Sequence, residues 1–587
     1  MGIGLLQHNS IRNIIMEGFV SRGSSGVLIL LFFLLSGVKS SKILFFNGFG
    51  EDSHYSVAAS LAEELSARNH SVTFLIGSDS RHRAEHPLHS KLFNFIFVEI
   101  NSVAIKKIAH KLTLAAFEGK NLLVEYNLMI ELVREQARRC HFVFQPSILE
   151  KLKNSNFDLV IFDATWPCCV ALSEYLGTER VAIVPTALMP LVLRKMGNPV
   201  NPATTAESNF GLPQKMSFYQ RVQNVVMILV EKAATDDYVH AFFGHYLNPL
   251  GIKPYSDSLN DVNVFITAAD PLLDKTVATM PGHVIAAGLT TVHAKPLSQE
   301  LEEFMQSSGD DGVIVFSLGT YVSHLPDKIV KIFRKAFSQV PQKVIWQWKN
   351  DESPHDMPEN VKTMAWIPQN DILGHKKTRL LIFQAGNNGV YEAIYHAVPL
   401  LVMPLLGDQV DVAQRVVERG IGLKIDITTV TSQSVTKNIK TILTNPKYRN
   451  NVKHLSEMFH DYPLPPRVKA AHWIEHVLRF GSEHLKSPDV DFNFFQLNLL
   501  DVSLFLTFVI LIFIISLGFS IKKLASLISN VCREHKLKEI YTNMISFHCW
   551  NSSGNRKRYI IFSICIVFLI AFSYICNIFE RVEVGPN

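Results

Sequence analysis

Three short stretches of the chain carry side chains whose types and spacing could do chemistry. FQAGNNGVYEA (383–393) is a small-residue turn between the apolar run LLI and a helical pattern. A strand that ends in such a turn and restarts as a helix presents unpaired backbone N–H groups at the positive end of a helix dipole, so the first ligand it suits is a phosphate. WIPQND (366–371) and PLLGDQ (404–409) each also fall at a strand end that leads into a helix. Taken singly, Trp366 reads as a core aromatic, Gly386 and Gly389 as turn punctuation and Asp408 as a helix N-cap. At successive strand ends of one sheet they point instead to a ligand site. In the N-terminal part, His54 of GEDSHYS stands at the start of a helix just past a strand. An imidazole titrating near about 6.5 can take a proton from an attacking hydroxyl, although a lone histidine there also suits a solvated helix terminus.

The elements that must position these residues follow from periodicity. KILFFNG (42–48) is an apolar strand ending in glycine, Val57, Leu61 and Leu65 share one face of the next helix, and SVTFLI (71–76) is a second strand. Strand, helix, strand in that order is a βαβ unit with a parallel crossover. The pattern recurs with FDLVIFD (157–163), CCVALSEYLG and VAIVPT, and a second alternation begins near 285 with VIVFSLG (313–319), KVIWQW, LLIF, PLLVMPLL and IGLKID. Two doubly wound domains result, with ligands expected beyond the carboxyl ends of their strands. Residues 102–155 and 196–255 read as mostly helical insertions that line a pocket, touch a membrane or pack as plain core. Residues 447–481 read as further helices, interrupted by YPLPPR, that cross back to the first domain.

Together the three stretches resemble the donor-binding signature of the UDP-glycosyltransferases, and the resemblance runs from about 42 to 500. In that family the signature reads, loosely, W-x-P-Q, then H-G-G-x-N-G-x-x-E-A, then D-Q. The resemblance implies that Trp366 and Gln369 stack on and grip the uridine and ribose, and that Asn388 reaches the diphosphate. Glu392 would take ribose hydroxyls, and Asp408 with Gln409 would contact the sugar. Ser317, Gln384, Gly386 and Gly389 complete the implied UDP-sugar-binding set. His54 falls where the family has its catalytic histidine and Asp163 on the aspartate that supports it.

The implied fold is α/β, two Rossmann-like domains facing a cleft (GT-B type), with C-terminal transmembrane helices. Its expected parts are a signal peptide (1–40), an acceptor-binding domain (41–284), a UDP-sugar-binding domain (285–446) and a crossing, membrane-proximal segment (447–500). The implied activity is inverting transfer of a hexosyl or glucuronosyl group from a UDP-sugar, as co-substrate and without a metal, to a hydroxyl of a small lipophilic acceptor. A non-catalytic or attenuated member that modulates related enzymes is the alternative, and homo- or hetero-oligomers with such enzymes are left open. Donor sugar and acceptor identity are also open. The chain departs from the pattern at Gln384-Ala385-Gly386, where the family has H-G-G, at Val412, where many members have Asn, and at Gln347, where many have Arg. A neutral amide in place of a chargeable imidazole weakens a phosphate contact by ~1 kcal/mol or more. Ala385 is tolerable only if its φ is negative.

Composition places the site beside a membrane. Of 587 residues 48% are hydrophobic and 19% charged, and the net charge of +5 gives no basis for a nucleic-acid partner. VLILLFFLLSGV (27–38) fits the core of a signal peptide, with Met1 or Met16 as the start. The uncharged stretch 502–521 reads as a transmembrane helix and 559–579 as a second span, which is unlike the family. The segment between them, 522–558, carries eight Lys or Arg against two Glu, so it is expected in the cytosol and the catalytic domains in the lumen of the endoplasmic reticulum. Two spans without intramembrane charges argue against a transporter. With Cys140, Cys168 and Cys169 alone in the luminal part, no disulfide scaffold is expected, and Cys168 and Cys169 read as buried small apolar residues. Asn69-His70-Ser71 is the luminal glycosylation sequon.

Overall fold

The computed structural model describes residues 40–534 apart from 50–51, 120–121, 320–321, 323–324 and 350–355. The expected signal peptide and second span lie outside the described residues, as does most of the basic segment between the spans. The chain divides into two compact units, one ending at Asp491 and the other starting at Phe492.

The first unit is built on two sheets. Runs such as KILFF and LVIFD become strands buried on both faces, as a parallel sheet between helix layers requires. The first sheet comprises β1 (Lys42–Phe46), β2 (Ser71–Gly77), β3 (Phe93–Val98), β4 (Leu159–Asp163), β5 (Glu179–Val184), β6 (Phe265–Thr267) and β7 (His283–Ile285). Their order is β3-β2-β1-β4-β5-β6-β7, and all neighbours are parallel. The second comprises β8 (Val313–Ser317), β9 (Lys343–Gln347), β10 (Val361–Met364), β11 (Thr378–Phe383), β12 (Leu400–Val402) and β13 (Gly422–Lys424). Its order is β10-β9-β8-β11-β12-β13, again parallel throughout. The two doubly wound domains expected from the sequence are therefore present. In both sheets the order reverses beside the first strand, between β1 and β4 and between β8 and β11. There the outgoing connections leave on opposite faces and a crevice opens beyond the strand ends.

Residues 102–155 are helical as expected, in Val103–Glu118, Leu122–Val143 and Pro146–Asn154. In 196–255 the helix begins only at Phe218, after a capping box of Ser217 and Gln220, and runs to Leu247. The stretch before it holds Pro199, Pro202, Gly211 and Pro213 and forms no regular element. Past the second sheet, the helix Pro446–His460 packs on Asn387–Tyr395 and the proline-rich break turns the chain. The helix Pro466–Phe480 then lays Ala470, Ala471, Ile474 and Val477 against the first domain, beside the helix Asp52–Ala67. Ion pairs reinforce the same contact, Arg467 to Glu63 at 3.2 Å and Arg68, in the turn just past Ala67, to Glu475 at 2.9 Å. A buried Ile or Val is worth about 1.5–3 kcal/mol and a partly exposed ion pair about 0.2–1, so the apolar face holds this crossing.

Among its described residues the second unit holds the helix Leu500–Glu534, of which Leu500–Leu527 is long and apolar enough to cross a membrane. It starts before and ends after the 502–521 expected, because Lys522 and Lys523 end the apolar run without ending the helix.

One expectation is overturned. Cys168 is not simply a small apolar residue but forms a disulfide with Cys140, joining the helices Leu122–Val143 and Pro167–Leu176 at a Cα separation of 5.5 Å. The pairing depends on how the first insertion folds back over the domain, which residue spacing does not reveal. Cys169 is the buried thiol, and its Sγ accepts a hydrogen bond from Gly48 N–H at 3.3 Å. A cross-link closing 28 residues stabilises the fold by about 3.6 kcal/mol in the loop-entropy account. Replacing both Cys140 and Cys168 by Ala should lower the free energy of unfolding by roughly 2–4 kcal/mol, with a lower denaturant midpoint and a steeper slope as the unfolded chain loses its cross-link.

Candidate active site

The β1/β4 reversal positions the first pair of side chains. Ile43 to Phe46 pair in register with Leu159 to Phe162, so the two strands end side by side. Asp163 is the last residue of β4, and His54 enters from the first turn of Asp52–Ala67, the helix that follows β1. His54 Nδ1 lies 2.5 Å from Asp163 Oδ2. The other carboxylate oxygen accepts the Thr165 amide at 2.8 Å and the Thr165 hydroxyl at 2.6 Å. Asp163 is fully buried, and a buried carboxylate is tolerable only with such partners. With Nδ1–H donated to the carboxylate, the imidazole lone pair sits on Nε2.

The donor-type residues gather around the second reversal. Ser317 ends β8, and its hydroxyl donates to Gln347 Oε1 at the end of β9, 2.8 Å away. Gln384, Ala385 and Gly386 lead from β11 into the helix Asn387–Tyr395, with Gly386 as its N-cap. Glu392 on that helix accepts Gln369 Nε2–H at 2.7 Å and the Thr290 hydroxyl at 3.3 Å. Burial outweighs these two donors and pushes the Glu392 carboxyl up to about 7. Trp366 projects from the rim with 69% of its surface exposed, which excludes the core-aromatic reading.

Asp408 precedes the helix Gln409–Glu418 but does not cap it with its side chain. It reaches across to the other domain instead, where Oδ2 accepts Ala187 N–H at 2.9 Å. Burial raises its carboxyl above the ordinary range, opposed by the Ala187 amide and by nearby His54. Gln409 Oε1 accepts the amides of Leu405 and Leu406 at 2.9 and 3.0 Å, which holds the loop after β12 against the helix start.

One cavity of 620 Å³ is lined by His54 together with Ser317, Trp366, Gln369, Gln384, Gly386, Asn388, Gly389, Glu392, Asp408 and Gln409. Asp163 sits behind His54, outside the lining. Residues 250 positions or more apart in the chain thus face one space. Its other wall is apolar, with Ile105, Ala109, Leu112, Leu132, Trp166 and Met189. Of the two insertion stretches with mixed expectations, NLLVEYNLMIELV contributes Leu132 to this wall. VQNVVMILVEKAA contributes nothing to the lining, and its Val222, Val225, Val226, Leu229 and Val230 are exposed.

The departures from the signature have structural consequences. Ala385 adopts φ +65° and is fully buried, so the negative φ it needs to be unstrained is not what it has. A residue with a Cβ in this region costs roughly 1–2 kcal/mol. Gln384 is buried and its Oε1 has no protein partner, while a Cβ on Gly319 would stand 2.0 Å from its Nε2. The loop after β8 therefore holds the Gln384 amide at the cavity wall. Thr165, Thr290 and Ala187 are supports that the sequence reading missed. Thr165 was findable, since a Thr two residues after an Asp commonly bonds back to it. The other two come from loops with no local signal.

The family model described as UDP-glucoronosyl and UDP-glucosyl transferase matches residues 42–534. UDP-glucuronosyltransferase 2A3 of Cavia porcellus is 30% identical over 500 residues, 82% of this chain and 93% of the relative. UDP-glucuronosyltransferase 2B1 of Rattus norvegicus is 31% identical over 485 residues, 78% of this chain and 88% of the relative. Among solved structures, the spinosyn forosaminyltransferase SpnP (TM-score 0.52, 16% identity) covers 75% of this chain and 100% of its own. The calicheamicin glycosyltransferase CalG4 (TM-score 0.51, 16% identity) covers 75% and 99%. These two likenesses establish the fold alone, which is GT-B. The packing of Gln384 on Gly319 is open to a double-mutant cycle. Gly319→Ala should weaken UDP binding several-fold by calorimetry, and the loss should shrink in a Gln384→Ala background to the part that comes from backbone strain at φ +67° if the two residues act through this contact.

Proposed function

The chain belongs to the UDP-glucoronosyl and UDP-glucosyl transferase family and is a UDP-sugar-dependent glycosyltransferase; from that premise we propose that it transfers a hexosyl or glucuronosyl group with inversion to a hydroxyl of a small lipophilic acceptor. The observation that carries this reading is the 2.5 Å approach of His54 to buried Asp163 at the wall of the cavity that also holds the donor-type residues. The acceptor oxygen bonds to the anomeric carbon while the bond from that carbon to the diphosphate oxygen breaks on the opposite side. The acceptor's proton passes to His54 Nε2, and Asp163 stabilises the imidazolium that forms. Charge gathering on the departing UDP is met by the N-terminus of Asn387–Tyr395 with Asn388 and Gln384, so no metal enters this scheme. Trp366 and Gln369 hold the uridine and ribose, Glu392 takes ribose hydroxyls, and Asp408 with Gln409 takes the sugar. The apolar wall from Ile105 to Met189 supports a lipophilic acceptor.

We place the catalytic unit in the lumen of the endoplasmic reticulum, anchored by the Leu500–Leu527 helix. The Cys140–Cys168 disulfide and the exposed position of Asn69 in its sequon suit an oxidising, glycosylating compartment. Gln384 supports a second reading, an attenuated member that binds UDP-sugar and modulates related enzymes.

UDP release and glycoside formation in microsomes across lipophilic acceptors test the scheme. His54→Ala should lower turnover by roughly 10²–10⁴-fold with UDP affinity retained, and undiminished turnover would rule His54 out as the base. UDP binding without turnover on any acceptor would favour the second reading, whereas faster turnover in Gln384→His would assign the attenuation to the lost charge. As a carboxylate Glu392 can accept a ribose hydroxyl on each oxygen, whereas protonation turns one of those acceptors into a donor, so binding lowers its pKa from about 7 and strengthens as pH rises through that value. UDP affinity should therefore fall as pH drops below 7, by up to about tenfold per unit, and Glu392→Gln should bind more weakly and without that component of the pH dependence.

A further inference from the structure

Between β5 and the helix Phe218–Leu247, residues 205–214 leave the first domain, lie along the helix Gln409–Glu418 of the second, and return. Their root is rigid. Arg194 Nη2–H donates to Glu207 Oε2 at 2.6 Å, and the Glu207 amide donates to Asn224 Oδ1 at 2.7 Å. Asn224 Nδ2–H in turn donates to the carbonyls of Pro202 and Thr205 at 2.8 and 3.0 Å. At the far end the Asn209 and Gly211 amides donate to the two carboxylate oxygens of Asp411, at 2.6 and 2.7 Å. Asp411 lies in the first turn of the helix that begins with Gln409 and is 6% exposed. The Gln214 amide donates to Glu418, and Lys275 Nζ–H to the Leu212 carbonyl, both at 3.3 Å. Gly211 has φ +60°, and a Cβ there would stand 3.3 Å from the Val410 carbonyl oxygen. Ser208 and Asn209 line the same cavity as His54 and Asp408.

We propose that residues 205–214 form a strap that Asp411 clasps, closing the two domains over the anomeric carbon so that an acceptor hydroxyl and not water receives the sugar. The proposal rests on the sugar-transfer reading of the cavity. A bidentate carboxylate that takes two amides from another domain fixes the separation of the two halves, and the strap residues at the cavity wall occupy space through which water would enter. If the clasp opens, water takes the acceptor's place. Its oxygen bonds to the anomeric carbon as UDP leaves, its proton goes to His54, and free sugar is released. Asp411 is thus a positioning residue.

The test uses the full chain in membranes with UDP-sugar and an accepted lipophilic alcohol, measuring glycoside and UDP formed together. Asp411→Asn keeps one acceptor oxygen and turns its carboxamide NH2, a donor, toward the other strap N–H. Gly211→Ala disturbs the clasp from the strap side, through backbone strain at φ +60° and a 3.3 Å approach to the Val410 carbonyl oxygen, and leaves the Asp411 side chain itself unchanged. In both variants the ratio of glycoside to UDP should fall at least about tenfold while free sugar appears. A variant that is merely less stable loses both products in proportion, so an unchanged ratio in both overturns the strap. A changed ratio in Asp411→Asn alone also overturns it, because the effect would then be local to Asp408 and Gln409. A wild-type chain that forms no glycoside with any acceptor overturns the sugar-transfer reading, and the strap proposal with it.

Discussion

Parallel pairing of β1 with β4 and of β8 with β11 is the constraint on which the remainder of the molecule rests. Parallel neighbours cannot be joined by a tight turn, so each strand hands over to a helix on one face or the other, and the face changes where the order reverses. Those reversals leave two crevices at strand ends. His54 and Asp163 occupy one; Ser317 and the Gln384–Gly386 turn occupy the other. The side chains within each crevice are set by strand register and need no further device.

Bringing the crevices together does need one, and it consists largely of polar side chains of the second domain bonded to backbone groups of the first half of the chain. Asp408 takes the Ala187 amide, Asn387 donates to the Ala268 carbonyl at 2.5 Å, and Asp411 takes two strap amides. Tyr391 accepts the Asp270 amide at 2.8 Å and donates to Asp274, which also pairs with Arg415. Each such bond contributes about 1 kcal/mol net, but leaving one of these buried groups unsatisfied costs about 1–3, so they act as a set that favours one arrangement. The helix Pro466–Phe480 adds an apolar seam on the first domain, flanked by the Arg467–Glu63 and Arg68–Glu475 ion pairs.

The signature turn shows how a fold accommodates an imperfect sequence. Ala385 keeps the left-handed conformation that a glycine would adopt freely, because β11 before it and the helix after it determine where the chain must go. The strain stays local, and the N-cap at Gly386 retains its place. Gln384 keeps its position because Gly319 has no side chain to displace it. The turn therefore keeps its backbone course from β11 into the helix, with the differences from the signature residing in the Ala385 backbone strain and the neutral Gln384 side chain.

Local pattern was enough to identify the central strands of both sheets, the doubly wound domains and the short stretches at strand ends, because a buried parallel strand must be continuously apolar and a turn at its end must be small; β3 and the three-residue β6 and β7 at the sheet margins were not legible in this way. It also showed a membrane-length helix, since an uncharged run of twenty residues admits few other structures. Spacing alone did not join His54 to Asp163, 109 positions apart; that came first from a resemblance and then from the β1–β4 register. Tertiary structure alone decided that Cys168 meets Cys140, that Asp408 bonds across the cleft instead of capping its helix, and that Asn209 and Gly211 clasp Asp411. These contacts join segments with no common period, and which of them form depends on how two separately folded sheets and the loops between them pack. Neighbours along the chain carry no record of that packing.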